Sequence, residues 1–178
     1  MAPPEIEKFR QLIGYFKTYG ERYAIDPYML AAQAYQESSF NQDLRMKSGA
    51  VGIMQMMEST ARDELGMHDI VSRAEDNIHA GAEYLRYLVD KYLNDPEIRE
   101  REKVLMTLAA YNAGPGDLKR FRDKARHDGF DPNVWFGNVE HGAAAIVGRE
   151  TVQYVGNIYK YSEKPLNLKG EMCFATKT

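Results

Sequence analysis

Apolar residues recur at spacings of three and four along most of the chain, and no sustained period-two alternation interrupts them. Pro4 suits the first turn of a helix that places Ile6, Phe9, Leu12, Ile13 and Phe16 on one face, with Gly20 as its expected end. Asp26 is the expected N-cap of a second helix, and Pro27 its first residue. There Leu30, Ala34 and Glu37 follow at spacings of four and three, so they share a face. Ser72 and Glu75 have capping-box spacing ahead of Ile78, Ala82, Leu85, Leu88, Val89 and Tyr92. Asp95-Pro96 is expected to restart a helix toward Leu105, Leu108, Ala109 and Asn112, which Gly114-Pro115-Gly116 stops. A last helix holds Val152, Val155, Ile158 and Tyr159. Strand signal is confined to Arg45–Val51, where Ser48-Gly49 predicts a turn or short hairpin. Residues 128–138, with Gly129, Pro132 and Gly137, form an expected loop, and the tail after Tyr161 loses periodicity. The pattern predicts a mainly α fold with at most a small β-hairpin and no tandem repeat.

Composition narrows the function classes. At 178 residues the chain fits one domain, and 44% hydrophobic with 28% charged residues excludes wholesale disorder. Lys and Arg number 23 against 26 Asp and Glu, so no global basic field exists for nucleic acid or an anionic membrane. The single cysteine, Cys173, makes neither a disulfide framework nor a zinc site. His68, His79, His127 and His141 lack metal-ligand spacing, so no metal site is expected. Met1-Ala2-Pro3-Pro4-Glu5 has no signal-peptide pattern, and no apolar run reaches a membrane span of about 20 residues. The chain is then either cytosolic as made or a mature or excised domain.

Glu37 is the first chemically unusual residue, a carboxyl in line with Leu30 and Ala34 on an apolar helix face. Desolvation there disfavours the charged form, and a carboxyl that keeps its proton is a general acid. The plain alternative is a helix-edge glutamate that reaches water or pairs with a neighbour. The surrounding motifs decide between these. Glu37-Ser38-Ser39-Phe40-Asn41 is followed by Ser48-Gly49-Ala50-Val51-Gly52-Ile53-Met54-Gln55-Met56, then by Leu108-Ala109-Ala110-Tyr111-Asn112-Ala113-Gly114-Pro115-Gly116, then by Glu150-Thr151-Val152-Gln153-Tyr154-Val155. In this order they resemble the lysozyme-like lytic transglycosylases of bacterial cell-wall metabolism. The resemblance runs from about Tyr23 to Tyr161, and the loop Asp131–Phe136 and the Tyr154 helix look closest to a membrane-bound branch of that family.

The resemblance implies a lysozyme-like α-helical catalytic domain at 23–162, with an N-terminal helix at 1–22 packed on it and a C-terminal tail at 163–178. It implies that Glu37 is the single catalytic acid and that Tyr154 brings a hydroxyl to it. Ser38 helps fix the carboxyl or the sugar. Met54 and Gln55 line the glycan groove, Tyr111 and Asn112 contact N-acetylated sugars, and Glu150 is a further partner at a helix start. Each has a bland counterpart: Met54 as core filler, Tyr111 and Tyr154 as packing tyrosines, Asn112 as a helix-end residue. The chain departs from the family at Met46, often serine, and at Gln42, often proline. Met46 donates no hydrogen bond, and Ser48 is the expected substitute in substrate binding.

An ordinary glycosidase needs two carboxylates, whereas here Glu37 alone sits in a recognisable motif. The reaction that the resemblance implies is cleavage of the β-1,4 bond between N-acetylmuramic acid and N-acetylglucosamine, with closure of a 1,6-anhydro ring, and it needs no cofactor. A goose-type lysozyme-like hydrolase and a non-catalytic glycan-binding module remain the alternatives. The cluster Lys119, Arg120, Arg122, Lys124 and Arg126 is interrupted by Asp117, Asp123 and Asp128, so it reads as a solvated helix face and not a nucleic-acid site. The implied partner is peptidoglycan, met as a monomer in the periplasm or cell envelope. Because no export signal or anchor is present, an upstream segment is expected.

Overall fold

Helix α1 (Pro3–Tyr23) buries Phe9, Phe16 and Tyr19 and leaves Ile6, Leu12 and Ile13 half-buried, the stripe its sequence spacing predicts. The computed structural model describes residues 3–162. The expected helix end at Gly20 is not observed, because α1 continues to Tyr23. The stop is Ala24, at φ 55°, in a hydrogen-bonded reversal: the Ile25 N–H donates to the Gly20 carbonyl at 2.8 Å, and the Ala24 N–H to that of Glu21 at 3.4 Å. Gly20 is needed for space instead. A Cβ there would lie 2.8 Å from the Ile25 carbonyl oxygen and 3.0 Å from Pro27 Cγ.

Helix α2 (Pro27–Ser38) begins as its sequence predicts. The Asp26 carboxylate accepts the Tyr28 and Met29 N–H groups at 2.7 and 3.0 Å, and Pro27 occupies the first turn. Beyond it lies the small hairpin, with β1 (Ala50–Val51) antiparallel to β2 (Met56–Met57) and Val51 opposite Met56. An isolated bridge joins Arg45 to Val51, and the turn before it closes from the Gly49 N–H to the Met46 carbonyl at 3.0 Å. Helix α3 (Glu58–Leu65) follows at once and was not expected, being short and largely polar with Ala61 as its buried residue.

Helix α4 (Ala74–Tyr92) carries the predicted apolar stripe but not the predicted cap. The Ser72 hydroxyl donates to Asp69 at 3.0 Å, and the Glu75 carboxylate binds Arg73 at 2.6 Å and Tyr19 at 3.1 Å. Tyr19 and Tyr23 of α1 meet His79 and Glu83 of α4. The Tyr23 hydroxyl lies 2.7 Å from His79 Nε2 and donates to Glu83 at 3.0 Å, and the Tyr19 ring stacks on His79 at 4.4 Å between centroids. Burial, then the Glu83 carboxylate, push the Tyr23 phenol up to about 12. Burial lowers His79 against the opposing pull of Glu83.

Asp95-Pro96 does not start a helix. The Asp95 side chain accepts the Glu97 N–H at 2.9 Å in a tight turn, and helix α5 (Glu100–Ala113) begins later. Gly114, at φ 93°, separates it from helix α6 (Pro115–His127). The expected loop at 128–138 ends in an irregular turn at Trp135–Val139, anchored by the Trp135 N–H on Glu102 at 2.8 Å. Helix α7 (Glu140–Val147) was also unexpected. It crosses α6 so closely that a Cβ on Gly142 would lie 2.3 Å from the Phe121 carbonyl oxygen. Helix α8 (Glu150–Ser162) is the predicted last helix, and the tail from 163 lies outside the described residues.

Backbone contacts divide the chain into two units, one of residues up to Arg86 with those from Ile158 onward, the other Tyr87–Asn157. In the first, Phe9, Phe16, Leu30, Phe40, Ile53, Ile70, Ile78 and Leu85 are buried. In the second, Leu88, Leu93, Leu105, Leu108, Phe121, Trp135, Val139 and Val155 are.

The end of α1 generates a paired expectation. Gly20→Ala forces a methyl onto backbone and should lower unfolding free energy by about 1–3 kcal/mol. Ala24→Gly relieves a left-handed residue and should raise it by up to about 1 kcal/mol. Urea denaturation of both variants checks the two signs.

Candidate active site

Glu37 lies in the last turn of α2, half-buried, just before a sharp reversal of the chain. Ser39 (φ 53°) and Phe40 (φ 60°) are both left-handed, although neither is glycine. Each such residue costs roughly 1–2 kcal/mol, so the surroundings must hold the pair in place. Three ties do so. The Ser39 N–H donates to the Tyr35 carbonyl at 2.9 Å. The buried Ser38 hydroxyl donates to the Ile53 carbonyl at 2.8 Å and accepts the Asn41 N–H at 3.1 Å. The Phe40 ring is buried against Phe9, Phe16 and Tyr35, with centroids 6.1, 6.1 and 5.6 Å away. Tyr35 is held in turn, its hydroxyl donating to Glu5 at 3.3 Å. With its hydroxyl engaged at both ends, Ser38 joins the end of α2 to the segment carrying Met54 and Gln55.

That segment is fixed from below by two amides. Asn77 of α4, fully buried, donates to the Val51 and Ile70 carbonyls at 3.0 and 2.9 Å and accepts the Met54 N–H at 2.8 Å. Gln42 donates to the Val71 carbonyl at 2.9 Å and accepts the Ile53 N–H at 3.2 Å. Gly52, at φ 79°, is required here, since a Cβ would lie 2.4 Å from the Asn77 amide nitrogen. Met54 itself is fully buried, with its side chain over Gly81 of α4, where a Cβ would meet Met54 Cγ at 2.7 Å. Gln55 is half-buried at φ 48°, and its amide donates to the Gly52 carbonyl at 2.8 Å, while its buried Oε1 meets no hydrogen-bond partner among the described residues. Ser48 is exposed in the Met46–Gly49 turn, beside an exposed Met46.

The remaining candidates belong to the second unit. Tyr111 is half-buried and Asn112 exposed in the last turn of α5. Asn112 Oδ1 accepts the hydroxyl of buried Thr151 at 2.8 Å, which sets its amide. Tyr154 is buried one turn further along α8, and Glu150 is exposed in the first turn of that helix. Asn77, Gln42 and Thr151 are the residues that the sequence reading passed over as contributors. Asn77, a polar residue directly before Ile78 on an apolar stripe, was the available signal. Among the described residues no group of three or more His, Cys, Asp or Glu is placed to hold a metal ion, and no helix is long and apolar enough to cross a membrane.

This mainly α arrangement with one small hairpin is a lysozyme-like fold. It superimposes on the crystal structure of an inactive mutant of lytic transglycosylase Slt from Pseudomonas aeruginosa with a TM-score of 0.64 at 24% identity, over 84% of this chain and 23% of that one. The profile of the family described as Transglycosylase SLT domain matches residues 14–134, and the chain belongs to that family. It is 34% identical over 168 residues to membrane-bound lytic murein transglycosylase F of Actinobacillus succinogenes, across 85% of this chain and 33% of that protein. The protein of the same description from Desulfosudis oleivorans is 32% identical over 173 residues, across 88% of this chain and 36% of its own length. The chain thus spans about a third of the length of these curated relatives.

Asn77→Ala would leave the Val51 and Ile70 carbonyls and the Met54 N–H without their partner. The expected loss is about 3 kcal/mol or more of unfolding free energy, read by urea denaturation. A loss below about 1 kcal/mol would show that the amide does not hold this segment.

Proposed function

We propose that this chain is the catalytic module of a peptidoglycan lytic transglycosylase, with Glu37 acting first as acid and then as base. The observation that carries the reading is the pinned chain reversal that presents Glu37, in a chain of the SLT family. Glu37 protonates the oxygen between N-acetylmuramic acid and N-acetylglucosamine, and that bond breaks. The muramoyl acetamido group shares the charge left on the anomeric carbon. Glu37, now a carboxylate, takes the proton of the muramoyl 6-hydroxyl as that oxygen attacks the anomeric carbon and closes the 1,6-anhydro ring. The proton account closes on one residue, so no second carboxylate is required. The nucleophile belongs to the same sugar, which gives it a high effective concentration.

In this reading Ser38 positions the carboxylate through its tie to Ile53, and the Ser48 turn with Gln55 borders the glycan, whereas Met54, expected to line the groove, is fully buried and supports that strip from beneath. For Tyr111, Asn112 and Tyr154 the assignments rest on the motif order, supported at Asn112 by the Thr151 bond that fixes its amide. A peptidoglycan substrate supports a location in the periplasm or cell envelope, and the reading takes the chain as a monomer.

Digestion of purified peptidoglycan followed by mass spectrometry of the released fragments tests the proposal. The native chain should release anhydro-muramoyl ends, and Glu37→Gln should slow release by about 10²–10⁴-fold while melting within a few degrees of it. Reducing ends would assign a lysozyme-type hydrolase instead, and undiminished release by Glu37→Gln would remove Glu37 from the chemistry.

A further inference from the structure

One feature of the second unit is not used by glycan cleavage. A cleft of about 330 Å³ opens between the end of α4 and α6. Lys91, Tyr92, Lys119, Arg122, Asp123 and Arg126 line it, and none of the residues assigned to bond cleavage does. Four of these are cations and one is a carboxylate. The carboxylate is already shared: Lys119 binds Asp123 at 2.5 Å and Arg126 binds it at 3.0 Å. Both pairs are solvent-exposed and follow helical spacing, the kind of ion pair an incoming anion exchanges with little cost.

Arg122 is built differently. Its Nε donates to the Pro132 carbonyl at 2.9 Å and its Nη2 to Asn133 at 2.7 Å, so the guanidinium is fixed before any ligand arrives. Burial, and then the charge of Arg126, lower its affinity for its proton against the opposing pull of Asp95 and Asp123. A planar guanidinium held in this way suits a carboxylate. Tyr92 is 42% exposed at the rim, and Lys91 lies 5.6 Å from its ring centroid. Leu118 adds an apolar wall.

We propose that this cleft binds the carboxylates of the short peptides carried by peptidoglycan strands, a role that rests on the function proposed above. Its volume admits a few residues of a peptide. A nucleic acid fits it less well, because the whole chain is net negative at −3 and one exposed aromatic is no stacking platform.

The experiment is calorimetric titration of the full chain with a synthetic acidic stem tetrapeptide, alongside its C-terminal amide, inorganic phosphate and a single-stranded DNA oligomer. The tetrapeptide should bind, and more weakly at about 0.5 M salt. The double variant Lys119→Ala/Arg126→Ala, whose exposed side chains leave the fold intact, should bind it at least about tenfold more weakly. That variant should also keep native turnover on glycan stripped of peptides and show a raised KM on intact peptidoglycan. Equal binding by native and variant chains, no binding by the native chain, or tighter binding of the DNA oligomer through the same residues would overturn the assignment. Anhydro products without peptide binding would sink the cleft alone, whereas peptide binding without anhydro products would sink the enzymatic reading.

Discussion

The site depends on a reversal of the chain made by two left-handed residues that are not glycine. Ser39 and Phe40 follow Glu37 at φ 53° and 60°, and an isolated peptide would not stay there. The fold compensates from two sides. A buried hydroxyl on Ser38 joins helix to strip, and the Phe40 ring enters a cluster with Phe9 and Phe16 of α1. Thus α1 does more than cover a surface. It supplies the aromatic half of the lock behind Glu37, and Glu5 at its start reaches Tyr35 in the same cluster.

The other side of the lock is polar. Burying an amide is unfavourable unless every donor and acceptor is matched, and Asn77 has its oxygen and nitrogen engaged by three backbone groups. That arrangement explains why two neighbouring positions are glycine. Gly52 must admit the Asn77 amide and Gly81 must admit Met54, so the strip lies against α4 at a distance that no other residue permits. Met54 gives its side chain to this contact, and its backbone takes the Asn77 bond. Farther along α4, Tyr19, Tyr23, His79 and Glu83 tie α1 to the same helix through a stacked and hydrogen-bonded group.

Local signals in the sequence were reliable where local chemistry decides. Asp26-Pro27 predicted the start of α2 because a short carboxylate and a fixed φ act within three residues. Other signals failed where a competing partner was near. Ser72 bonds Asp69 instead of capping α4, and Asp95 closes a turn before α5 can begin. Gly20 looked like a stop, yet its role comes from the chain folding back across it. Helices α3 and α7 were missed because each is eight residues long, and α7 is rich in small residues that leave little apolar pattern. At the site, the motifs marked which residues to examine. Asn77 stands out as a polar residue beside an apolar stripe, but the partners of Asn77, Gln42 and Thr151 are not legible in sequence, since their ties reach residues up to 39 positions away.

If Glu37 is the acid and base proposed above, the Ser38 lock sets its working position. Ser38→Ala isolates it, because the methyl keeps the packing and removes the bond to Ile53. Turnover of peptidoglycan and the melting temperature should be measured together on this variant. A fall in turnover of at least about tenfold at temperatures where the variant stays folded, with peptidoglycan binding retained, is the predicted result. Native turnover in a folded Ser38→Ala chain would contradict the account.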